Sequence, residues 1–318
     1  MDLFAKHDLL TRVAWKYYKE ELTQQEIADS LEISRFKVMS LLDEARDEGI
    51  IEINIKSPVY NCLSLEQDFK AAFDLDDVYI IPTPKSSDNM KKIIGKAGGS
   101  YLSNVIHSGD NIGTAWGETL YEAANNFYPK KDKDYNDISF IWLRGGLSSG
   151  SLISINHFDV ARTLAEKIDG RCYYVFAPAR VETEEAKNII MSDRKVSEAL
   201  AKARKVNKAI IGIGETTSKA SLVKSGLIKK EEMEELNQKG AVGDILGRFF
   251  NIDGKPIETE INDMMIGIEL EELRSIDKII AFAGGENKVE SVYGALKGGY
   301  LDVLVTDEET AINVLNYK

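Results

Sequence analysis

The sequence contains few of the residues that build disulfides and metal sites. Only two of its 318 residues are cysteine, Cys62 and Cys172, and they follow no metal-ligand spacing. The three histidines, His7, His107 and His157, are scattered and form no ligand motif. We therefore interpret the cysteines as reduced packing residues, and we expect no metal ion.

Long hydrophobic runs are also missing. No stretch approaches the ~18 apolar residues that cross a bilayer, and the first residues, "MDLFAKHDLL", lack the basic start and apolar middle of a secretory signal. The composition, 43% hydrophobic and 29% charged, is ordinary for a globular protein. We expect a cytoplasmic protein with enough chain for two domains.

An excess of positive charge is absent as well. The net charge is −12, and residues 1–57 carry eight Lys or Arg against twelve Asp or Glu. A protein that coats nucleic acid non-specifically needs the opposite balance. Any contact with DNA must therefore be local and made by a few well-placed cations.

The chain contains two regions with different sequence patterns. Residues 1–48 have helical periodicity, and residues 51–55 alternate apolar and polar side chains as a half-exposed strand does. After the proline-containing break "KSPVYN", strand-like apolar runs alternate with helical patterns, which predicts a mostly parallel sheet covered on both faces. The runs are "DVYIIPT", "DNIGTAW", "DISFIWL", "CYYVFAP", "KAIIGIG", "IDKIIAFAG" and "LDVLVTD", with helical patterns over 63–73, 90–106, 159–168, 195–205 and 288–296. We predict an α/β protein with domains 1–56 and 57–318.

The N-terminal helices predict a helix-turn-helix. Leu9, Leu10, Val13, Ala14, Tyr17 and Tyr18 form the apolar stripe of the first helix. Thr23 to Glu26 forms a capping box for a short second helix, which buries Ile27, Ala28 and Leu31. After a turn at Glu32, Ser34 caps a third helix that buries Val38, Leu41, Leu42 and Ala45 and ends before Gly49. The third helix would place its N-terminal residues in a major groove, and residues 51–55 would form part of a wing.

The predicted DNA-contacting residues lie at the starts of the second and third helices. They are Thr23, Gln24, Ser34, Arg35, Lys37 and Ser40. Arg35 suits a guanine edge, whereas Lys37 and the Ser34 hydroxyl suit phosphates. The second half of the third helix is acidic and can point away from DNA. A plain three-helix packing unit with a solvated charged face remains open, and one feature departs from the motif: Glu32 occupies a turn position where glycine is common.

Glycine-rich turns end several of the predicted strands. The first, "TAWGETL", presents backbone N–H groups and a hydroxyl to an anion, although a single turn of this kind is a weak signal. Others follow at residues 144–146, 212–216 and 284–288. Such turns meet at the carboxyl edge of a parallel sheet, where ligands bind. None fits a dinucleotide or nucleoside-triphosphate motif, so no cofactor is expected.

Charged and amide side chains accompany these turns. Arg144 and Lys288 could bind a phosphate or carboxylate, and Asp244 and Asn156 could hold sugar hydroxyls. Each also has an ordinary explanation: surface ion pairs for the two cations, a helix cap for Asp244 and a loop turn for Asn156. Their common placement after strands favours a ligand site.

Taken together, the motifs resemble the SorC family of bacterial sugar-binding transcriptional regulators. The resemblance runs through "YYKEELTQQEIADSLEISRFKVMSLLDEARDEGIIEI", "WGETL", "RGGL", "APA", "IIGIG", "GAVGDILGRFFNIDG" and "AGGENKVESVYGALKGGYLDVLVTDEETA", in that order. It implies a winged helix-turn-helix domain and an effector domain like sugar-phosphate isomerases and glucosamine-phosphate deaminases. It also implies a homotetramer that binds operator DNA of a carbohydrate catabolic operon under control of a sugar, polyol or sugar phosphate.

The resemblance assigns the effector site to particular positions. They are Gly117, Glu118, Thr119, Arg144, Asn156 or His157, Asp244 and Lys288. The sequence departs from the family in two places. Glu118 stands where phosphate-binding relatives often carry a small residue or threonine, which leaves an unphosphorylated effector open, since a carboxylate repels a phosphate unless it turns outward or meets a cation. Met39 and Ser40 replace a frequent Ser-Arg pair, so the operator sequence cannot be transferred.

Two other functional classes remain open on the residues. An isomerase or deaminase with an appended helical domain would need a general acid and base, for which Asp244, Glu215 and His157 are candidates without an evident arrangement. An interaction module could use Leu65, Phe69 and Phe73, spaced along one helix face. We expect a regulator rather than an enzyme, with no catalytic residues.

Overall fold

The computed structural model describes residues 3–52, 57, 60–84, 89–146 and 159–317. Contacts divide the chain into two compact units, Met1–Ser57 and Pro58–Lys318.

The first unit contains three helices, α1 (Leu3–Tyr18), α2 (Gln24–Leu31) and α3 (Arg35–Asp47). The predicted capping box is present, because the Glu26 N–H donates to the Thr23 hydroxyl and the Thr23 N–H donates to the Glu26 carboxylate. The Thr23 N–H and the Thr23 hydroxyl both donate to the Glu26 carboxylate and hold the pKa of Glu26 below its usual value. The helices begin and end as the sequence predicts.

The core of this unit is small and apolar. It consists of Leu10, Val13, Ile27, Ala28, Val38, Leu41, Leu42 and Ala45, with Leu9, Tyr17 and Leu31 packed against it. Glu32 between α2 and α3 adopts a left-handed conformation, with φ 55°. Gly49 does the same after α3, at φ 71°, as predicted. Ile51 and Glu52 form no strand, and the rest of the predicted wing lies outside the described residues.

The second unit is built on a seven-stranded parallel sheet, and each strand coincides with one of the predicted apolar runs. In chain order the strands are β1 (Asp77–Ile81), β2 (Asn111–Thr114), β3 (Ser139–Trp142), β4 (Arg171–Tyr173), β5 (Lys208–Gly212), β9 (Lys278–Phe282) and β10 (Val303–Asp307). Their spatial order is β1-β10-β9-β5-β2-β3-β4. From β2 the chain moves outward through β3 to β4 at one edge, and from β5 it moves the other way through β9 to β10, beyond which the first strand, β1, forms the edge. The topological switch point therefore lies between β2 and β5.

Helices cover both faces of this sheet. The described helices of this unit are α4 (Tyr60–Phe73), α5 (Met90–Val105), α6 (Glu118–Asn126), α7 (Val160–Ile168), α8 (Glu184–Ser192), α9 (Arg194–Ala203), α10 (Ser221–Lys224), α11 (Lys230–Gln238), α12 (Glu260–Asp263), α13 (Leu270–Leu273), α14 (Val289–Lys297) and α15 (Glu308–Leu315). Successive residues of β5 enter different cores: Ile210 joins one cluster and Ile211 the other. This alternation shows that both faces of the sheet are buried.

A smaller antiparallel sheet was not predicted. It contains β6 (Gly214–Glu215), β7 (Ala241–Ile245) and β8 (Arg248–Asn251), with β7 in the middle. Leu246 and Gly247 connect β7 to β8, both with positive φ. This hairpin places Asp244 on a strand, so the plain interpretation of Asp244 as a helix cap is wrong.

Three further predictions concern the apolar face of α4, the two cysteines and membrane-spanning helices. Phe69 is fully buried in the core, and Leu65 and Phe73 pack against it, so this helix face is internal. Both cysteines are free, with Cys62 buried and Cys172 half-buried. Among the described residues, no helix is long and apolar enough to cross a membrane.

Candidate functional site

A pocket opens at the carboxyl edge of the parallel sheet, at the switch point between β2 and β5. Its walls come from the loops after β2, β3, β5 and β9 and from the β7–β8 hairpin. Its lining includes Lys91, Trp116, Gly117, Glu118, Thr119, Arg144, Glu215, Asp244 and Lys288. Six of the seven predicted effector residues therefore lie together; the seventh, Asn156, and its alternative His157 lie outside the described residues.

The loop after β2 leads into the N-terminus of α6, which can bind an anion at one end of the pocket. Gly117 precedes α6 with φ 153°, a conformation that residues with side chains rarely adopt. Glu118 and Thr119 then form the first turn of α6, whose free backbone N–H groups carry partial positive charge. This is the geometry that the sequence predicts for the loop.

The Glu118 side chain does not stand unpaired beside this loop. Its carboxylate forms an ion pair with the ammonium group of Lys91, from the first turn of α5. Both side chains are about half exposed, at 50% and 48%. Because Lys91 offsets the charge of Glu118, the carboxylate does not exclude a phosphate from the α6 terminus.

Arg144 provides a buried cation. It follows β3, is 3% exposed, and donates from Nη1 to the Leu246 carbonyl at 3.0 Å. Its guanidinium carbon lies 4.3 Å from the centroid of the Trp116 ring. Burial lowers the pKa of Arg144, although Asp244 acts in the opposite direction. The interpretation of Arg144 as a surface ion-pair residue is wrong, since a surface residue would not be buried.

Asp244 provides a buried acceptor. One carboxylate oxygen, Oδ2, accepts from the Gly247 N–H at 3.0 Å, whereas the buried Oδ1 has no hydrogen-bond partner. Burial raises the pKa of Asp244, and Lys288, the Gly247 N–H and Arg144 oppose the rise. An ideal Cβ on Gly214 would lie 1.6 Å from Oδ1, so only glycine at that position leaves room for this carboxylate.

Lys288 provides a second, partly buried cation. It ends the short 3-10 helix Glu286–Lys288 after β9, and its ammonium group donates to the Ile213 carbonyl at 2.9 Å. Burial lowers the pKa of Lys288, while Glu215 and Asp244 raise it. Because the ammonium group is partly buried and bonded to a backbone carbonyl, the geometry does not support a surface ion-pair role for Lys288.

Sequence reasoning did not assign Lys91, Trp116 or Glu215 to the effector site. Trp116 directly precedes the predicted Gly117 turn, and its buried indole N–H has no hydrogen-bond partner. Lys91 carries no local signal, because it enters the pocket only through the packing of α5 on α6. The complete pocket offers cations, a helix N-terminus and an unpaired carboxylate oxygen, a combination that suits a small polar ligand with both acidic and hydroxyl groups.

The predicted DNA-contacting residues lie together in the first unit. Arg35, at the first position of α3, donates from Nε to the Gln24 side-chain oxygen at 3.3 Å. Thr23 and Ser34 use their hydroxyls to cap α2 and α3. Lys37 and Ser40 are exposed on α3. The surface that carries these residues therefore contains two cations next to two helix starts.

Comparison with known proteins identifies the family. The family described as "Putative sugar-binding domain" matches residues 57–316. Over 313 residues, 98% of each chain, the protein is 31% identical to the deoxyribonucleoside regulator of Bacillus subtilis. This chain belongs to the SorC family of sugar-binding transcriptional regulators.

Other SorC-family relatives extend along the whole chain. The erythritol catabolism regulatory protein EryD of Brucella abortus is 31% identical over 309 residues, 96% of each chain. The crystal structure of the full-length sorbitol operon regulator SorC from Klebsiella pneumoniae matches with a TM-score of 0.73 at 27% identity, covering 98% of this chain and 99% of that one. The match to a full-length SorC structure includes both units of the chain.

Proposed function

We propose that this protein is a DNA-binding regulator of a carbohydrate catabolic operon, whose operator affinity changes when a sugar, polyol or sugar phosphate occupies the pocket. The observation that supports this most directly is the unpaired Oδ1 of Asp244, buried beside Arg144 and Lys288. A buried acceptor without a donor destabilises the empty protein by about 1–3 kcal/mol. A ligand hydroxyl that donates to Oδ1 would remove this cost.

The pocket also offers places for an acidic group. The α6 N-terminus, the Thr119 hydroxyl and Lys91 line one end of it. A phosphate there would meet backbone N–H groups and the positive end of the helix dipole. With Glu118 paired to Lys91, both a free and a phosphorylated sugar are compatible with the charges of the site.

Operator binding would use the helix-turn-helix. Arg35 at the start of α3 is held by Gln24, which limits its rotamers before it meets a guanine edge. Lys37 and Ser40 lie on the same helix, and Thr23 and Ser34 place the helix starts near phosphates. This assigns recognition to a few local groups, in keeping with the net charge of −12.

The proposed role includes no catalysis. Asp244 and Glu215 line the pocket, but the names of the family relatives are those of regulators. By analogy with the family we propose a cytoplasmic homotetramer. An effector coupling of ~1–3 kcal/mol would alter operator affinity about 5- to 150-fold.

Fluorescence anisotropy of labelled DNA from upstream of its own operon tests this function. The full-length protein is titrated alone and then with pentoses, hexoses and polyols, each with and without phosphate. We expect sequence-dependent binding at moderate salt, where electrostatics alone is weak, and a change of affinity with one panel member. Failure to distinguish that DNA from a scrambled duplex would contradict the proposal.

A variant pair links the response to the pocket. Asp244→Asn should leave operator binding intact and remove the effector response, whereas Asp253→Asn, an exposed residue in the turn after β8, should behave like wild type. Turnover is measured on the same sugar panel. Product formation that is lost in Asp244→Asn would favour the isomerase or deaminase alternative instead.

A further inference from the structure

The second residue of α3, Phe36, is a large aromatic side chain that is 84% exposed. Single exposed apolar residues are common on protein surfaces and need no explanation by themselves. The position of Phe36 on the helix is what distinguishes it. It lies in the first turn, beside Arg35 and Lys37, where a recognition helix contacts base edges.

The helix geometry directs Phe36 away from its own unit. The buried side of α3 consists of Val38, Leu41, Leu42 and Ala45. At 3.6 residues per turn, Phe36 points about 170° away from the mean direction of these four side chains. Ser40, one turn later, shares the outward side, and both residues are exposed. A side chain in this orientation cannot add to the core of the unit.

The surrounding groups identify what this side chain would meet. Arg35 is fixed by its hydrogen bond to Gln24, and the Ser34 hydroxyl accepts from the Lys37 N–H at 3.2 Å, which fixes the first turn. A surface with two cations and a rigid helix start is complementary to the polyanionic backbone of DNA. Within a major groove, the one apolar group on a base edge is the C5-methyl of thymine.

We propose that Phe36 is a specificity-determining residue that recognises the C5-methyl group of a thymine in the operator. This inference rests on the proposed function and adds a base preference to it. Arg35 would select a guanine by hydrogen bonding, and Phe36 would select a neighbouring thymine by apolar contact. The hydrogen bond from Arg35 and the methyl contact of Phe36 can each be removed without the other, so their contributions can be measured separately.

The test uses a binding site obtained from the protein itself. Full-length wild-type protein selects duplexes from a random DNA library at fixed salt. Each thymine of the selected site is then replaced singly by deoxyuridine, which removes only the C5-methyl group. Affinities of wild type, Phe36→Ala and Phe36→Leu are measured by anisotropy. Since Phe36 is exposed, these substitutions leave the α3 core unchanged, and circular dichroism checks the fold.

The expected result is confined to one or two positions. There, deoxyuridine weakens wild-type binding about fourfold, the loss expected when one methyl group is no longer buried. Phe36→Ala should bind the thymine and deoxyuridine duplexes equally, and Phe36→Leu should retain part of the difference. Trp15→Ala changes an aromatic residue of α1 that is 58% exposed, and it should retain the full difference.

Two results would overturn the inference while leaving the regulator intact: no deoxyuridine position that weakens wild-type binding, or an undiminished difference in Phe36→Ala. Failure of the wild type to select any sequence would contradict the proposed function, and this inference with it. The outcomes are therefore distinguishable.

Discussion

The guanidinium group of Arg144 stacks on the indole ring of Trp116, at 4.3 Å from guanidinium carbon to ring centroid. The two residues come from different loops, after β3 and β2. An aromatic face stabilises a buried cation through its quadrupole and, unlike a carboxylate, does not neutralise it. The pairing therefore keeps positive charge available to a ligand in the pocket.

Replacement of Trp116 should weaken effector binding. A cation–π contact of this kind contributes about 0.5–2 kcal/mol, so Trp116→Leu should lower the affinity for the effector by about 2- to 30-fold in calorimetric titration. Trp142→Leu is the control, because Trp142 is the last residue of the neighbouring strand β3 but packs against Tyr174 outside the pocket. It should lower stability without changing effector affinity. Wild-type affinity in Trp116→Leu would contradict the role of the ring.

Removal of the Glu118 charge should favour anions selectively. In Glu118→Gln, Lys91 loses its carboxylate partner and can interact fully with an anion at the α6 N-terminus. Because both side chains are half exposed, the effect is modest, at most about 1 kcal/mol. We expect up to about fivefold tighter binding of inorganic phosphate, with little change for an uncharged sugar.

The matched control for that experiment is Glu122→Gln, one turn further along α6. It removes the same charge away from the lining of the pocket and should leave phosphate affinity unchanged. If Glu118→Gln and Glu122→Gln change phosphate binding equally, the effect is one of net charge and the local ion pair is irrelevant.

The parallel sheet could be predicted because its strands are buried on both faces and therefore appear as uninterrupted apolar runs. The β7–β8 hairpin could not, since its turn is formed by Leu246 and Gly247 instead of the usual Asn-Gly or Asp-Gly. Leu246 adopts φ 57°, a left-handed conformation that a leucine side chain does not favour. Tertiary contacts select this turn, and with it the strand position of Asp244.

The residues of the site also divide into those that the sequence predicts and those that it does not. Gly117, Arg144 and Lys288 follow predicted strands, so their common edge follows from the topology of a parallel sheet. Lys91 lies in the first turn of α5, and nothing near it in sequence relates it to Glu118. Its place in the pocket depends on the close packing of α5 against α6. That packing is set by the facing surfaces of two helices, which the sequence around Lys91 does not reveal.

That packing depends on glycines and can be tested at Gly99. An ideal Cβ at this position would lie 2.6 Å from the Ala123 carbonyl oxygen and 2.5 Å from the Asn126 carbonyl carbon, both backbone atoms of the α6 region. Gly99→Ala should therefore force the helices apart and destabilise the protein by about 1–3 kcal/mol. Urea denaturation measures the change.

The control substitution is Gly212→Ala, since a Cβ there has no neighbour closer than 3.9 Å. It should change the free energy of unfolding by much less than Gly99→Ala does. Equal stability of wild type and Gly99→Ala would show that α5 can move at no cost, and the explanation for the placement of Lys91 would fail.

The ion pair between Arg180 and Glu232 predicts a dependence of stability on pH. Nη1 and Nη2 of Arg180 lie 3.0 and 2.7 Å from the two Glu232 oxygens, and the side chains are only 21% and 22% exposed. The hydrogen bonds from Arg180 hold the pKa of Glu232 below the ordinary value of 4.5, against the effect of burial. A lowered pKa in the folded state means that the unfolded state binds the proton more tightly.

The stabilisation by Glu232 is therefore fully present above pH 4.5 and is lost as the pH falls through the lowered value. Glu232→Gln should cost about 1–2 kcal/mol at pH 7, and the difference from wild type should shrink as the pH is lowered from 5 to 4. Glu231→Gln, an exposed neighbour on α11, should stay close to wild type throughout. Urea midpoints at pH 7, 5 and 4 measure this, and a difference that is constant across the three would show that packing of the side chain, and not its charge, stabilises the pair.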